Sequence, residues 1–101
     1  MERQAIIYKA IAHPVRLAIL RNFATCGCDK LTVKSIYERL GIEQPVASHH
    51  LGILKRSGVV LREQEGVNTY YSVCNNEPVI RAVLEVLKKE EAKTKSAEEQ
   101  L

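Results

Sequence analysis

Two adjacent histidines, His49 and His50, stand near the middle of the chain, in the segment QPVASHHLGILKRSG that covers residues 44–58. Histidine can bind a metal ion or act as an acid or base near neutral pH. Adjacent residues on a helix point about 100° apart, so this pair cannot bind one ion as two histidines four positions apart would. We therefore expect the two rings to have separate roles, and not to form a metal site.

Three cysteines, Cys26, Cys28 and Cys74, are the other residues with strong chemistry of their own. An odd number of cysteines in a protein expected to stay in a reducing compartment argues against permanent disulfides. Thiolates suit zinc and copper(I), and a trigonal set of thiolates would also suit arsenite. A reversible disulfide between Cys74 and one of the other two is an alternative, and so are purely structural roles for all three.

Composition and charge narrow the class of protein. The chain has 101 residues, 46% hydrophobic and 27% charged, which fits one small globular domain. Its formal charge is +3, and acidic residues are concentrated near the C-terminal end, so the remainder is basic enough to favour a polyanionic partner. No apolar run is long enough for a signal peptide or a membrane span, and we expect a cytoplasmic protein without a membrane partner.

Helical spacing of apolar residues predicts five helices. The first covers residues 2–12 and the second runs from Pro14 to about Ala24, with His13 at the junction between them. Thr32 is expected to cap a third helix that ends at Gly41. The fourth has Pro45 in its first turn and ends at Ser57-Gly58, and the fifth covers about residues 76–91. Residues 92–101 form a charged tail outside the domain predicted over residues 1–91.

The third and fourth helices are followed by a predicted β-hairpin. The runs 59–64 and 69–73 favour β-strands and flank a turn that contains Gly66. Two helices followed by a hairpin indicate a mainly α fold of the winged helix-turn-helix class. The fourth helix would direct a mostly apolar set of residues inward: Val46, Ala47, His50, Leu51 and Leu54.

The opposite face of the fourth helix carries Gln44, Ser48 and His49, with Lys55 and Arg56 further along. An α-helix fits the major groove of B-DNA, where glutamine, serine and histidine can form hydrogen bonds with base edges. Cations would add contacts to phosphates, which raise affinity without selecting a sequence. The candidates for phosphate contacts are Lys34, Arg39, Lys55, Arg56 and Arg62. No nucleophile with a base and an orienting group is apparent, and we expect no enzyme.

Three segments in this order, AIAHPVRLAIL, QPVASHHLGILKRSGVV and EGVNTYYSV, resemble the ArsR/SmtB family of winged helix-turn-helix repressors over roughly residues 5–87. The resemblance implies a homodimer built from the first and last helices, which binds a palindromic double-stranded DNA operator and releases it when an inducer binds. It also implies that His50 supports packing and that Arg16 makes an intramolecular bond. By matching positions, it assigns base-facing roles on the fourth helix to Gln44, Pro45, Ser48 and His49.

The hairpin departs from the family pattern at its turn. The resemblance places Arg62 near the minor groove or its phosphates. Family members usually have arginine or lysine after the turn glycine, whereas Val67-Asn68 follows Gly66 here. The wing is therefore expected to contribute less affinity for DNA than is usual.

The resemblance implies two possible inducer sites, a Cys-x-Cys metal site on the third helix and a zinc site of aspartate, histidine and glutamate on the last helix, and both are missing from the matching segments. VKSIYERL has no cysteine, and PVIRAVLEVLKK has no histidine and a single carboxylate, Glu85. In winged helices the segment Leu31-Thr32 commonly pairs with the second wing strand, and pairing with about residues 71–73 would bring Cys26 and Cys28 beside Cys74. The expected cofactor is thus either none or a thiophilic ion (zinc, copper(I) or arsenite). A constitutive DNA-binding regulator and a protein-interaction module are the alternatives to a sensor.

Overall fold

The fold was analysed from a computed structural model, which describes the backbone of residues 2–27 and 29–100 and the side chains of residues 2–27 and 29–90. Within these ranges it contains five helices and three strands. In chain order they are α1 (Glu2–Ile11), α2 (Pro14–Cys26), β1 (Leu31–Thr32), α3 (Val33–Leu40), α4 (Gln44–Arg56), β2 (Val60–Glu65), β3 (Asn68–Val73) and α5 (Pro78–Gln100). The predicted mainly α, winged helix-turn-helix class is confirmed.

The break between α1 and α2 lies where the sequence predicts it. His13 has an extended backbone, and its Nδ1 accepts a hydrogen bond from the Val15 amide at 3.1 Å, which caps α2. Pro14 occupies the first turn, where its missing amide hydrogen costs nothing. The far end of α2 differs from the prediction, because Cys26 belongs to the helix and not to the following loop. Gly27 ends α2 with a φ of 71°, a conformation that favours glycine.

The helix-turn-helix consists of α3 and α4. The Thr32 hydroxyl accepts a hydrogen bond from the Ser35 amide at 3.1 Å, so the predicted cap is confirmed. Gly41 ends α3 with a φ of 67°, and Pro45 lies in the first turn of α4. These two signals place the turn between the helices at residues 41–43.

The three strands form one antiparallel sheet in the order β1-β3-β2. Leu31 pairs with Tyr71 and Thr32 with Tyr70, so the predicted pairing with residues 71–73 is out of register. Opposite residues in a sheet share a face, and Leu31 and Tyr71 are both buried in the core. A shift by one residue would turn Tyr71 away from the core, which explains the observed register.

Every helix contributes to the core. Its fully buried large side chains are Ile7, Ile19, Leu20, Ile36, Leu51, Leu54, Val59, Val60 and Ile80. Val46 was predicted to face inward but is 39% exposed, because the buried face of α4 is centred on Ala47, Leu51 and Leu54, which leaves Val46 at its border. Among the described helices, none is both long and apolar enough to cross a membrane.

The last helix extends beyond its predicted end near Glu91 and continues to Gln100. Residues 91–100 are rich in alanine, glutamate, lysine and glutamine, which have high helix propensities. Closer to its N-terminal end, α5 packs on the core through Ile80 and Leu87. The charged segment therefore continues the helix that begins at Pro78.

Candidate nucleic-acid interface

Helix α4 has two different faces. Ala47, His50, Leu51 and Leu54 are buried against the rest of the domain. The other face is open to solvent, as the sequence predicts, and carries Gln44, Pro45, Ser48, His49, Lys55 and Arg56. Gln44 and Ser48 are four positions apart and therefore lie one above the other on this face.

Four of the predicted contact residues surround one polar groove of about 380 Å³ between α3, α4 and the wing. Lys34 comes from the first turn of α3, Gln44 and Ser48 from α4, and Arg62 from β2. Both charged side chains in this described lining are basic. The groove thus combines two groups suited to base edges with two cations suited to phosphates.

The same groove includes polar residues that the sequence did not single out for DNA contact. Tyr37 of α3 is half-buried and lines the groove with Asn68 and Thr69. Alternation along the strands explains the position of Thr69, since Arg62 lies opposite Tyr71 and side chains two positions apart share a face. This alternation is the signal that would have found it.

The remaining predicted contacts lie elsewhere. Pro45 and His49 are exposed but do not line the groove, and Lys55 and Arg56 are in the last turn of α4. Arg39 donates a hydrogen bond to the Asn22 side-chain oxygen at 2.9 Å. This bond directs Arg39 toward α2, so it lies apart from the groove formed by the other cations.

The wing carries a mixed charge. Glu63 and Glu65 lie on β2 near Arg62, and Lys30 forms a salt bridge with Glu65 while its ammonium group lies 4.7 Å from the centre of the Tyr70 ring. The hydrogen bond with Glu65 raises the pKa of Lys30. Val67 at the turn is 96% exposed. The tip of the wing therefore offers an apolar side chain where a cation would attract phosphate.

The two central histidines lie in different environments, as helical periodicity predicts. His49 is exposed, whereas His50 is 9% exposed and its Nδ1 accepts a hydrogen bond from Arg16 Nη1 at 3.1 Å. Arg16 also donates from Nε to the carbonyl of Ala10, which confirms its predicted intramolecular bond. Burial and the nearby charges of His13, Arg16 and His49 lower the pKa of His50. His50 thus links α4 to the α1–α2 junction.

Two of the three thiols can be placed. Cys26 and Cys74 are half-buried and pack against the hydrophobic core, and the Cys26 thiol donates to the carbonyl of Phe23 at 3.6 Å. Cys28 lies outside the described residues. In the part of the chain that is described, no three histidine, cysteine, aspartate or glutamate side chains are arranged to hold a metal ion. Whether the three thiols meet therefore stays a prediction.

A second surface, on α1, α2 and α5, is apolar. It forms an open groove of about 590 Å³ whose lining includes Tyr8, Leu17, Val83 and Val86. Tyr8 and Val86 are each more than half exposed, and Ile6 on α1 is exposed to a similar degree. Large apolar side chains grouped on one face are typical of an interaction surface.

The fold and the polar groove define a winged helix-turn-helix of the DNA-binding class. A family profile described as a helix-turn-helix domain matches residues 11–63. The uncharacterised HTH-type transcriptional regulator MJ1325 of Methanocaldococcus jannaschii is 44% identical over 73 residues, which cover 71% of this chain and 80% of the relative.

Solved structures agree with this assignment. The transcriptional repressor PagR of Bacillus anthracis superposes with a TM-score of 0.73 and 30% identity, over 85% of this chain and 93% of PagR. A second solved structure is the homodimeric winged helix-turn-helix domain of Mb0332 from Mycobacterium bovis, a possible ArsR-family regulator. It superposes with a TM-score of 0.69 and 25% identity, over 99% of this chain and 85% of the Mb0332 domain. The chain belongs to the ArsR/SmtB family of DNA-binding transcriptional regulators and is not an enzyme.

Proposed function

We propose that this regulator is a homodimeric repressor, which acts in the cytoplasm and binds a palindromic operator with one α4 helix in the major groove of each half-site. Gln44, Ser48 and His49 contact base edges, with Pro45 against the same bases. Lys34, Lys55, Arg56 and Arg62 contact phosphates. Repression as the direction of control follows from the relatives named as repressors, PagR among them.

The observation that carries the proposal is the polar groove shared by Lys34, Gln44, Ser48 and Arg62. Base selection requires side chains that can donate and accept hydrogen bonds, and Gln44 and Ser48 both can. Affinity requires cations that replace the counterions of DNA, and Lys34 and Arg62 line the same groove as Gln44 and Ser48. The elements that supply these groups are fixed on one core, so the geometry is preorganised.

The apolar groove on α1, α2 and α5 supports the homodimer. Removing apolar surface from water stabilises an association by about 25 cal/mol per Å² before the entropic costs of binding. A small domain with exposed Ile6, Tyr8 and Val86 on these elements gains burial from a second copy. The homodimeric state of Mb0332 supports a homodimer for this chain as well.

Operator binding is tested with the purified protein and the DNA upstream of its own gene, compared with a scrambled duplex of the same composition at one salt concentration. We expect the upstream DNA to bind at least about 10³-fold more tightly, the lower range for specific recognition. Ser48→Ala should reduce this ratio, while Thr25→Ala, a loss of an exposed hydroxyl on α2, should leave it unchanged. Equal binding to both duplexes, or none to either, would exclude a sequence-specific operator.

An effector site at Cys26, Cys28 and Cys74 is the finer part of the proposal. The antiparallel pairing of Leu31 with Tyr71 supports it, since the chain that enters β1 and the chain that leaves β3 toward Cys74 lie at the same end of the sheet. Sulfur ligands alone fit soft ions such as zinc, copper(I) or arsenite. Cys74 also connects the wing to α5, so a bond formed there would act between the DNA-binding and dimerisation elements.

The thiol proposal is tested by measuring release of DNA after addition of each ion, or of a thiol oxidant, to the reduced protein. We expect one of these treatments to release the DNA, and each single Cys→Ser variant at positions 26, 28 and 74 to lose that response. Release that persists in all three variants would contradict a thiol sensor. Tight binding under every condition would instead support the constitutive regulator.

A further inference from the structure

All three histidines of the chain lie together where the α1–α2 junction packs on α4. The ring centres of His13 and His50 are 4.6 Å apart, and those of His49 and His50 are 5.1 Å apart. Arg16 of α2 completes the group through its bond to His50. The titratable and charged groups that act on His50 are thus His13 from the junction, Arg16 from α2 and His49 from α4, and all of them are bases.

The hydrogen bonds define the protonation state of two of these rings. Nδ1 of His50 faces a guanidinium N–H of Arg16, and Nδ1 of His13 faces the amide N–H of Val15. Arginine and a backbone amide can only donate, so each Nδ1 must accept and carry no proton. This geometry fits the tautomer of each ring that carries its proton on Nε2. A proton added to either Nδ1 would place a donor against a donor.

Acidification should therefore lower the free energy of unfolding. Burial first, then the charges of His13, Arg16 and His49, lower the pKa of His50 relative to the unfolded chain. A base whose pKa is lowered in the folded state stabilises the fold fully above its unfolded pKa of about 6.5. That contribution is lost as the pH falls from this value through the lower folded value, because the unfolded state then binds more protons.

We propose that His13, Arg16 and His50 form a proton-sensitive joint, in which a proton taken from solvent at Nδ1 of either histidine breaks a hydrogen bond that holds α4 or caps α2. One of these bonds joins α4 to Arg16, which is itself held by the Ala10 carbonyl at the end of α1. The other fixes the start of α2. Loss of either bond loosens the support of the helix that carries Ser48 and His49, and this consequence for DNA binding rests on the function proposed above.

Asparagine supplies a sharp test, because its side-chain oxygen takes the place of Nδ1 as an acceptor but cannot be protonated at these pH values. It is also a favoured residue at a helix N-cap. The double variant His13→Asn/His50→Asn should therefore keep both hydrogen bonds and lose the response to pH. The matched control is His49→Asn, which removes the exposed ring of the same cluster.

The first measurement is urea unfolding at about pH 7.5 and about pH 5.5, on either side of the ordinary histidine pKa. Between these values we expect the folding equilibrium constant of the natural protein and of His49→Asn to fall more than that of the double variant. One histidine with an ordinary unfolded pKa limits the contribution of His50 to this difference to about tenfold. An equal loss in the double variant would overturn the proposal. If the double variant does not fold, the pH titration of the His50 ring in the natural protein is measured by NMR instead. We expect a lowered pKa for His50, and an ordinary value would overturn the proposal.

The second measurement is the affinity for the upstream duplex at the same two pH values and constant salt. We expect acidification to weaken binding by His49→Asn severalfold more than binding by the triple variant His13→Asn/His49→Asn/His50→Asn. Because both variants lack the His49 ring, the effect of its charge on DNA binding is the same in both and does not affect the comparison. If acidification weakens DNA binding by the two variants equally, protonation of His13 and His50 does not affect DNA binding by α4. Failure to bind DNA at either pH would contradict the proposed function, while the unfolding data would still decide the joint.

Discussion

At the residue scale, one step along α4 separates a ring in solvent from a ring in the core. His49 is exposed and His50 is buried against Arg16, although the two residues are identical in type and adjacent in sequence. Helical periodicity accounts for this difference and could be read from the sequence. The bond between Arg16 and His50 could not be assigned from spacing, because it joins residues 34 positions apart.

Gln44 and Lys55 should differ in how they contribute to DNA binding. Gln44→Ala should cost about 1–3 kcal/mol on the operator and relax its sequence preference, since it removes a contact to a base edge. Lys55→Ala should weaken binding to every duplex similarly and lower the slope of log K against log salt by about 1. Salt titrations on operator and scrambled DNA distinguish these effects. A Gln44→Ala variant with unchanged preference would exclude Gln44 as a base contact.

At the element scale, local sequence signals predicted where helices begin, whereas tertiary contacts determined the register between strands. Pro14, Thr32 and Pro45 identified three helix starts, because each acts through the backbone next to it. The register between β1 and β3 depends on which tyrosine, Tyr70 or Tyr71, is buried, and adjacent tyrosines give no local preference. The inclusion of Cys26 in α2 follows from the backbone of Gly27, which ends the helix two positions later than the predicted end near Ala24.

A substitution at the tip of the wing should raise the affinity for DNA. Val67 is 96% exposed at the turn, so Val67→Lys should not disturb the core. A lysine there would add a phosphate contact, which should strengthen binding at low salt and increase the salt slope by about 0.9. Val67→Gln is the matched polar control without charge. If lysine and glutamine give the same affinity, the tip of the wing does not approach DNA.

At the scale of the whole molecule, the polar groove proposed to bind DNA and the apolar surface lie on different elements. The first is built from α3, α4 and the wing, and the second from α1, α2 and α5. The sequence indicated both, because the outward residues of the fourth helix predicted DNA contacts and the family resemblance implied a dimer through the first and last helices. It could not show that α2 contributes Leu17 to the second groove, because this depends on how the helices pack.

The apolar surface should control the oligomeric state. Val86 is 53% exposed, so Val86→Glu should leave the monomer folded but place a charge in the proposed dimer interface. We expect a shift toward monomer in analytical ultracentrifugation and weaker binding to a two-site operator. Val67→Glu makes the same chemical change on the wing and should remain dimeric. An unchanged dimer in Val86→Glu would show that the subunits meet elsewhere.

Hydroxyl-radical footprinting of the protein on its upstream DNA tests most directly whether two α4 helices read one operator. A dimer with two recognition helices should protect two patches related by a dyad, with centres one helical turn or a multiple of it apart, about 34–36 Å per turn. Gln44→Ala should weaken both patches together. A single protected patch, or protection that does not depend on the DNA sequence, would contradict the account.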